Sequence, residues 1–214
     1  MLTETTGRTA QDLAAELEGL RAVDWASVWA GPPQGGSPEF RAWCERYGWE
    51  PLTFDRQLTV RTATGGRLTF ESGGFWNPVE SLSHYGWQVK AGTAEENSAV
   101  LDLAAETWPE YLAAAAGVLN APAWAGSWDA PDFPEPPAPG YWPDREFRLK
   151  TRRPYRFALW GAAGGSTTGS GVATEPFVAL SQSIAFPTWA ADMPGASAIS
   201  LEVRPPVEVL RALR

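Results

Sequence analysis

Between Pro122 and Asp144 the chain reads PAWAGSWDAPDFPEPPAPGYWPD, and this stretch limits what the rest can become. Pro131, Pro134, Pro136, Pro137, Pro139 and Pro143 each fix φ and remove a backbone donor, which rules out a helix or an inner strand through that part. An extended, partly polyproline course is what remains. Solvated linkers are poor in aromatics, yet Trp124, Trp128, Phe133, Tyr141 and Trp142 crowd this one. So much ring surface must cover something or bind something, and we expect an ordered strap wrapped on the domain.

Elsewhere the pattern is that of small helices and half-buried strands. Thr9 and Asp12 start a helix with Leu13, Leu17 and Leu20 on one face, ending near Val23, and Trp25 and Trp29 follow in a turn-rich linker. Ser37, Pro38 and Glu39 form a helix start, and Phe40, Trp43, Cys44 and Tyr47 make one apolar stripe. Gly48 then closes that helix as a left-handed residue, with Trp49 folded back on it.

EPLTF, QLTVRTA and GRLTFES read as an antiparallel meander with a tight turn at Thr64, Gly65 and Gly66. In the next segment Asn77-Pro78 looks like a helix start, and Tyr85-Gly86-Trp87 echoes Tyr47-Gly48-Trp49, with a short strand beginning at Trp87. Residues 93–119 are helical, capped by Thr93 and kinked or restarted at Pro109 with Thr107 as the new cap. After the strap, REFRLK and PYRFALW alternate like a hairpin, with Arg152 and Arg153 at its turn. The loop Gly161 to Gly171 is glycine-rich and lacks the lysine of a phosphate-binding loop. PFVALSQSIAF and AISLEV read as strands, and VEVLRALR as a short closing helix.

The expected fold class is α+β: N-terminal helices, an antiparallel β-meander, a kinked helix pair, the Pro/Trp-rich strap and a second antiparallel strand set. At 214 residues, one domain over 1–214 is expected, or its subdivision into 1–120 and 121–214.

Few residues invite chemistry. His84 is the sole histidine, which excludes a two-histidine metal site, and its Ser-His-Tyr setting suggests a surface or capping role. Cys44, the sole cysteine, sits on the apolar stripe and reads as a buried structural thiol. No G-x-S-x-G elbow is present, and neither catalytic residues, cofactor nor metal are expected. Carboxylates beside aromatics along the strap keep a sugar-cleaving site as an alternative.

Charge layout says more than any motif. Ala91 to Asp144 holds nine acids (Glu95, Glu96, Asp102, Glu106, Glu110, Asp129, Asp132, Glu135 and Asp144) and no base. Arg145, Arg148, Lys150, Arg152, Arg153 and Arg156 follow at once, against Glu146 alone. The two segments either neutralise each other or leave an acidic face for a basic partner. With a net charge of −8, neither nucleic acid nor an anionic membrane is the expected partner. No signal peptide or membrane-length apolar run is visible, so a cytoplasmic location is expected. The candidate partner-binding residues are Glu106, Glu110, Trp124, Trp128, Asp129, Asp132, Glu135 and Trp142.

WPEYLAAAAGVLNAP from Trp108, GSWDAPDFPEPP from Gly126, the FALW strand and the earlier RYGW helix end together resemble an uncharacterised actinobacterial family that looks like immunity proteins of polymorphic toxin systems. That resemblance implies a stoichiometric binder of a cognate toxin and carries over no catalytic residue. For such a binder, an acidic face suits a basic, nuclease-like toxin. The order of helices and strands also resembles secretion chaperones, which makes a chaperone or accessory protein of a secreted effector the second reading.

Overall fold

The computed structural model describes residues 3–4, 7–54, 57–72, 77–161, 175–185 and 192–213. In chain order the elements are β1 (Thr3–Glu4), α1 (Ala10–Arg21), α2 (Trp25–Ala30), α3 (Pro38–Arg46), β2 (Glu50–Thr53), β3 (Leu58–Arg61), β4 (Arg67–Ser72) and β5 (Val79–Lys90). A 3-10 turn (Ala94–Glu96) leads into α4 (Asn97–Leu119), β6 (Trp124–Ser127), α5 (Arg145–Thr151), β7 (Arg156–Trp160), β8 (Phe177–Ala185), β9 (Ala196–Arg204) and α6 (Val207–Leu213). This is an α+β fold with antiparallel strands. Two compact units compose it: Ala15–His84, Gly161–Val178 and Glu202–Arg214 form one, and Met1–Ala14, Tyr85–Trp160 and Ala179–Leu201 the other.

In the first unit α3 follows its sequence signals closely. The Ser37 hydroxyl accepts from the Phe40 amide at 3.1 Å, Pro38 opens the helix, and Phe40, Trp43 and Cys44 are buried. Gly48 takes φ +66°, which lets the Trp49 amide reach the Cys44 carbonyl (3.0 Å) and the Gly48 amide reach the Glu45 carbonyl (3.1 Å). Those two bonds satisfy carbonyls that a helix end leaves open. Burial and the neighbouring Glu45 push the Cys44 thiol up to about 11, so it stays protonated and unreactive at neutral pH.

The presumed linker at Trp25 is in fact helix α2. The Asp24 side chain accepts from the Ser27 amide at 3.3 Å, and Trp25 stacks on Trp29 with centroids 5.0 Å apart. Strand pairing then runs β2 to β3, β3 to β4 and β4 to the first half of β5, all antiparallel. Leu68 and Phe70 alternate inward as expected, but Thr59 is buried with Leu58 and Val60, so β3 is enclosed on both faces there.

The β3–β4 turn is organised by a buried carboxylate. Glu16 accepts from the Thr62 hydroxyl at 2.7 Å and from the Thr64 hydroxyl, while the Thr62 amide donates to the Gly66 carbonyl at 2.8 Å. A Cβ on Gly66 would overlap Glu16 Oε1. Gly66→Ala is therefore expected to displace this carboxylate and cost roughly 1–3 kcal/mol, read as a lower denaturant midpoint at unchanged slope. A midpoint equal to that of the wild type would mean that Glu16 swings away freely.

His84 also departs from expectation, because it lies inside. It is buried on β5, with Nδ1 donating to the Arg67 carbonyl at 3.0 Å. The segment read as a helix start at Asn77-Pro78 leads instead into this 12-residue strand. Tyr-Gly-Trp has a different job here than at Tyr47. A Cβ on Gly86 would sit 3.3 Å from the Tyr111 ring, so this glycine admits a close neighbour within a strand.

The second unit is built on α4. Thr93 and Glu96 close a capping box on the 3-10 turn that leads into it. The helix then runs unbroken through Pro109, and Thr107 does not restart it, since its hydroxyl bonds back to the Leu103 carbonyl at 2.7 Å. Pro109 has no N–H for the Ala105 carbonyl, and the Arg156 side chain donates there instead at 3.4 Å. Gln182 Nε2, fully buried on β8, donates to the Ala104 carbonyl at 2.7 Å. Tyr111, two turns on from Ala104, donates to the Arg8 carbonyl at 2.7 Å.

Candidate functional site

The strap begins as β6, paired antiparallel with β7 from Trp124↔Leu159 to Ser127↔Arg156. The Trp128 amide extends this pairing to the Tyr155 carbonyl at 3.1 Å. Beyond it the chain turns back, so that Phe133 stacks on Phe157 with centroids 5.4 Å apart and meets Trp124 edge-on at 4.8 Å. Trp142 reaches Phe157 at 5.8 Å, and its Nε1 donates to the Pro134 carbonyl at 2.9 Å. Phe133, Tyr141 and Trp142 are buried. The strap is ordered because its own rings close over β7.

The basic segment after the strap corrects the sequence reading. REFRLK forms helix α5 instead of a strand, with the Asp144 carboxylate accepting from the Phe147 amide at 2.8 Å and Arg152 closing it at φ +53°. Its single inward side chain is Arg148, only 3% exposed. The Arg148 guanidinium lies over the Phe133 ring, Cζ 4.1 Å from the centroid, and donates to the Trp128 carbonyl. Burial pulls its pKa down while Glu135 and Asp129 push it up, and an arginine so placed keeps its charge at neutral pH. Arg152 covers Trp128 in turn, at 5.4 Å.

The eight candidate residues therefore separate. Trp142 is buried, and half-buried Trp124 donates from Nε1 to Asp132 at 3.2 Å. Asp129 accepts from the Ser127 hydroxyl at 2.5 Å, and with Glu135 it lies close enough to Arg148 to favour its charge. Trp128 is half-buried beneath Arg152. These six residues lie in or beside the strap's ring cluster, and Glu135 and Asp129 offset part of the cost of burying the Arg148 charge.

Glu106 and Glu110 are different. They are exposed on α4, four residues apart, with Asp102 one turn earlier on the same face. Among the described residues, none of the three takes part in an ion pair. Like charges at this spacing disfavour a helix by roughly 0.2–0.5 kcal/mol per pair, so the row is not there for the helix. The sequence signal for it was plain, since i, i+4, i+8 acids on an apolar-stripe helix must line its outer face.

No group of three metal-ligating side chains occurs among the described residues. Of the strap rings, Phe133, Tyr141 and Trp142 are buried, Trp128 lies under the Arg152 guanidinium, and Trp124 is half-buried against Phe133. No helix among the described residues is long and apolar enough to cross a membrane. No protein-family model, curated protein or solved structure matches the chain.

Proposed function

We propose that this protein is a stoichiometric binder of a basic protein, of the immunity type, and that the Asp102, Glu106 and Glu110 row on α4 is the surface that meets it. The observation that carries this reading is a line of exposed carboxylates without an ion pair among the described residues, in a chain of net charge −8. Such a row attracts a cationic surface from a distance and adds association rate and selectivity. A toxin that handles nucleic acid would present the matching basic cleft. The strap acids have a local role, with Asp132 accepting from Trp124 and Glu135 and Asp129 favouring the charge of Arg148.

Affinity capture from the native host tests the reading, with the wild-type chain and a Glu106→Lys/Glu110→Lys variant as paired baits. We expect one stoichiometric basic partner on the wild type, released by salt and lost from the variant. Expression of that partner alone should then arrest growth, and co-expression of the wild type should restore it. A partner retained equally by both baits removes α4 from the interface, and a partner that is harmless alone removes the immunity reading.

A further inference from the structure

Helix α5 turns its apolar side chains outward. Phe147 is 52% and Leu149 43% exposed, whereas Arg148 is buried. Arg145, Lys150 and Arg153 are exposed around them, with Glu146 the one acid on the helix. The complement of this basic, apolar surface exists on the chain itself. On α4 the exposed acids Asp102, Glu106 and Glu110 are interleaved with exposed Ala105, Pro109 and Ala113, a surface low enough to admit a ring between carboxylates. Among the described residues no ion pair joins these acids to Arg145, Lys150 or Arg153 within one copy.

We propose that the two surfaces are the halves of a homodimer contact, in which α5 of each copy docks on the α4 acid row of the other. The seven residues of α5 span only about 10 Å, so a single such contact falls well short of the roughly 800 Å² per partner of a standard interface. A two-fold arrangement uses both surfaces of both copies, doubles the contact and closes on itself. The proposal needs only the two surfaces and not the toxin reading. Because both use the α4 acids, self-association and capture of a basic partner exclude one another.

Sedimentation velocity on the purified full chain, with no partner added, tests this at low and high salt. We expect a dimer at low salt that weakens by at least ~10-fold in about 0.5 M salt, where charge attraction is screened beyond a few ångströms. Lys150→Glu/Arg153→Glu and Glu106→Lys/Glu110→Lys should each be monomeric, and an equal mixture of the two should dimerise again, since reversal on both sides restores the pairing. Phe147→Ser/Leu149→Ser changes only exposed side chains and should weaken the dimer while leaving the circular dichroism intact. A wild type that stays monomeric at low salt, a dimer that survives either charge variant, or a mixture that fails to reassociate overturns the proposal.

Discussion

Trp43→Ala is expected to lower the unfolding free energy by roughly 3–5 kcal/mol, the range for removing a large buried ring. Trp43 is 5% exposed and forms the centre of an aromatic group in the first unit. Its ring meets Trp49 at 5.4 Å and Tyr47 at 5.5 Å, both edge-on, and Phe70 of β4 at 6.1 Å. The indole Nε1 donates to the Ser27 hydroxyl at 3.2 Å, which links α3 to α2. Truncation thus removes packing on a strand, a helix end and a second helix together. Trp43→Phe keeps much of the ring but strands the Ser27 hydroxyl, and it should cost about 1–2 kcal/mol. Chemical denaturation monitored by far-UV circular dichroism checks both. Melting of the alanine variant at the wild-type temperature would show that α3 does not present this face to its core.

Local physics carried the sequence reading wherever side-chain and backbone signals agreed. Ser37, Pro38 and Gly48 specify the two ends of α3 without help from the rest of the chain, and the alternation of Leu68 and Phe70 specifies an inward face of β4. The misreadings lie where tertiary partners decide. Phe147 and Leu149 alternate with Arg148 as a strand would, yet the one residue with an inward partner is the arginine, which Phe133 and the Trp128 carbonyl receive. The signal that favoured a helix was Asp144 ahead of Glu146, a cap followed by an acid in the first turn. Tyr85-Gly86-Trp87 misled in the opposite direction, because its glycine serves a neighbour 25 residues away, Tyr111, and not a turn. At the site, the outward α4 acids could be read from their spacing. The inward fate of Trp142 and the mutual cover of Trp128 and Arg152 could not, since they depend on how the strap folds back on β7.

Phe133→Ala should release the strap, with a stability loss again of roughly 3–5 kcal/mol if the unit melts as a whole. Phe133 touches Trp124, Phe157 and the Arg148 guanidinium, so its removal takes away the ring over which the buried charge sits. A buried arginine that loses its partner is costly, and the cheapest relief is for α5 and the strap to peel away. Proteolysis can watch this directly. The stretch from Ala91 to Asp144 contains no Lys or Arg, so trypsin has its first sites at Arg145 and Arg148, the latter buried. In the variant, tryptic cleavage after Arg148 and chymotryptic cleavage after Trp128 should both accelerate before global unfolding, while Phe133→Leu, which keeps most of the volume, should stay close to wild type. Unchanged cleavage in Phe133→Ala would place the strap's hold elsewhere, on β6 and the Trp142 bond to Pro134. The same variant separates strap from helix in partner capture. Retained binding with an opened strap leaves the α4 carboxylates as the surface that matters, whereas lost binding with α4 intact gives Asp129, Asp132 and Glu135 a share in it.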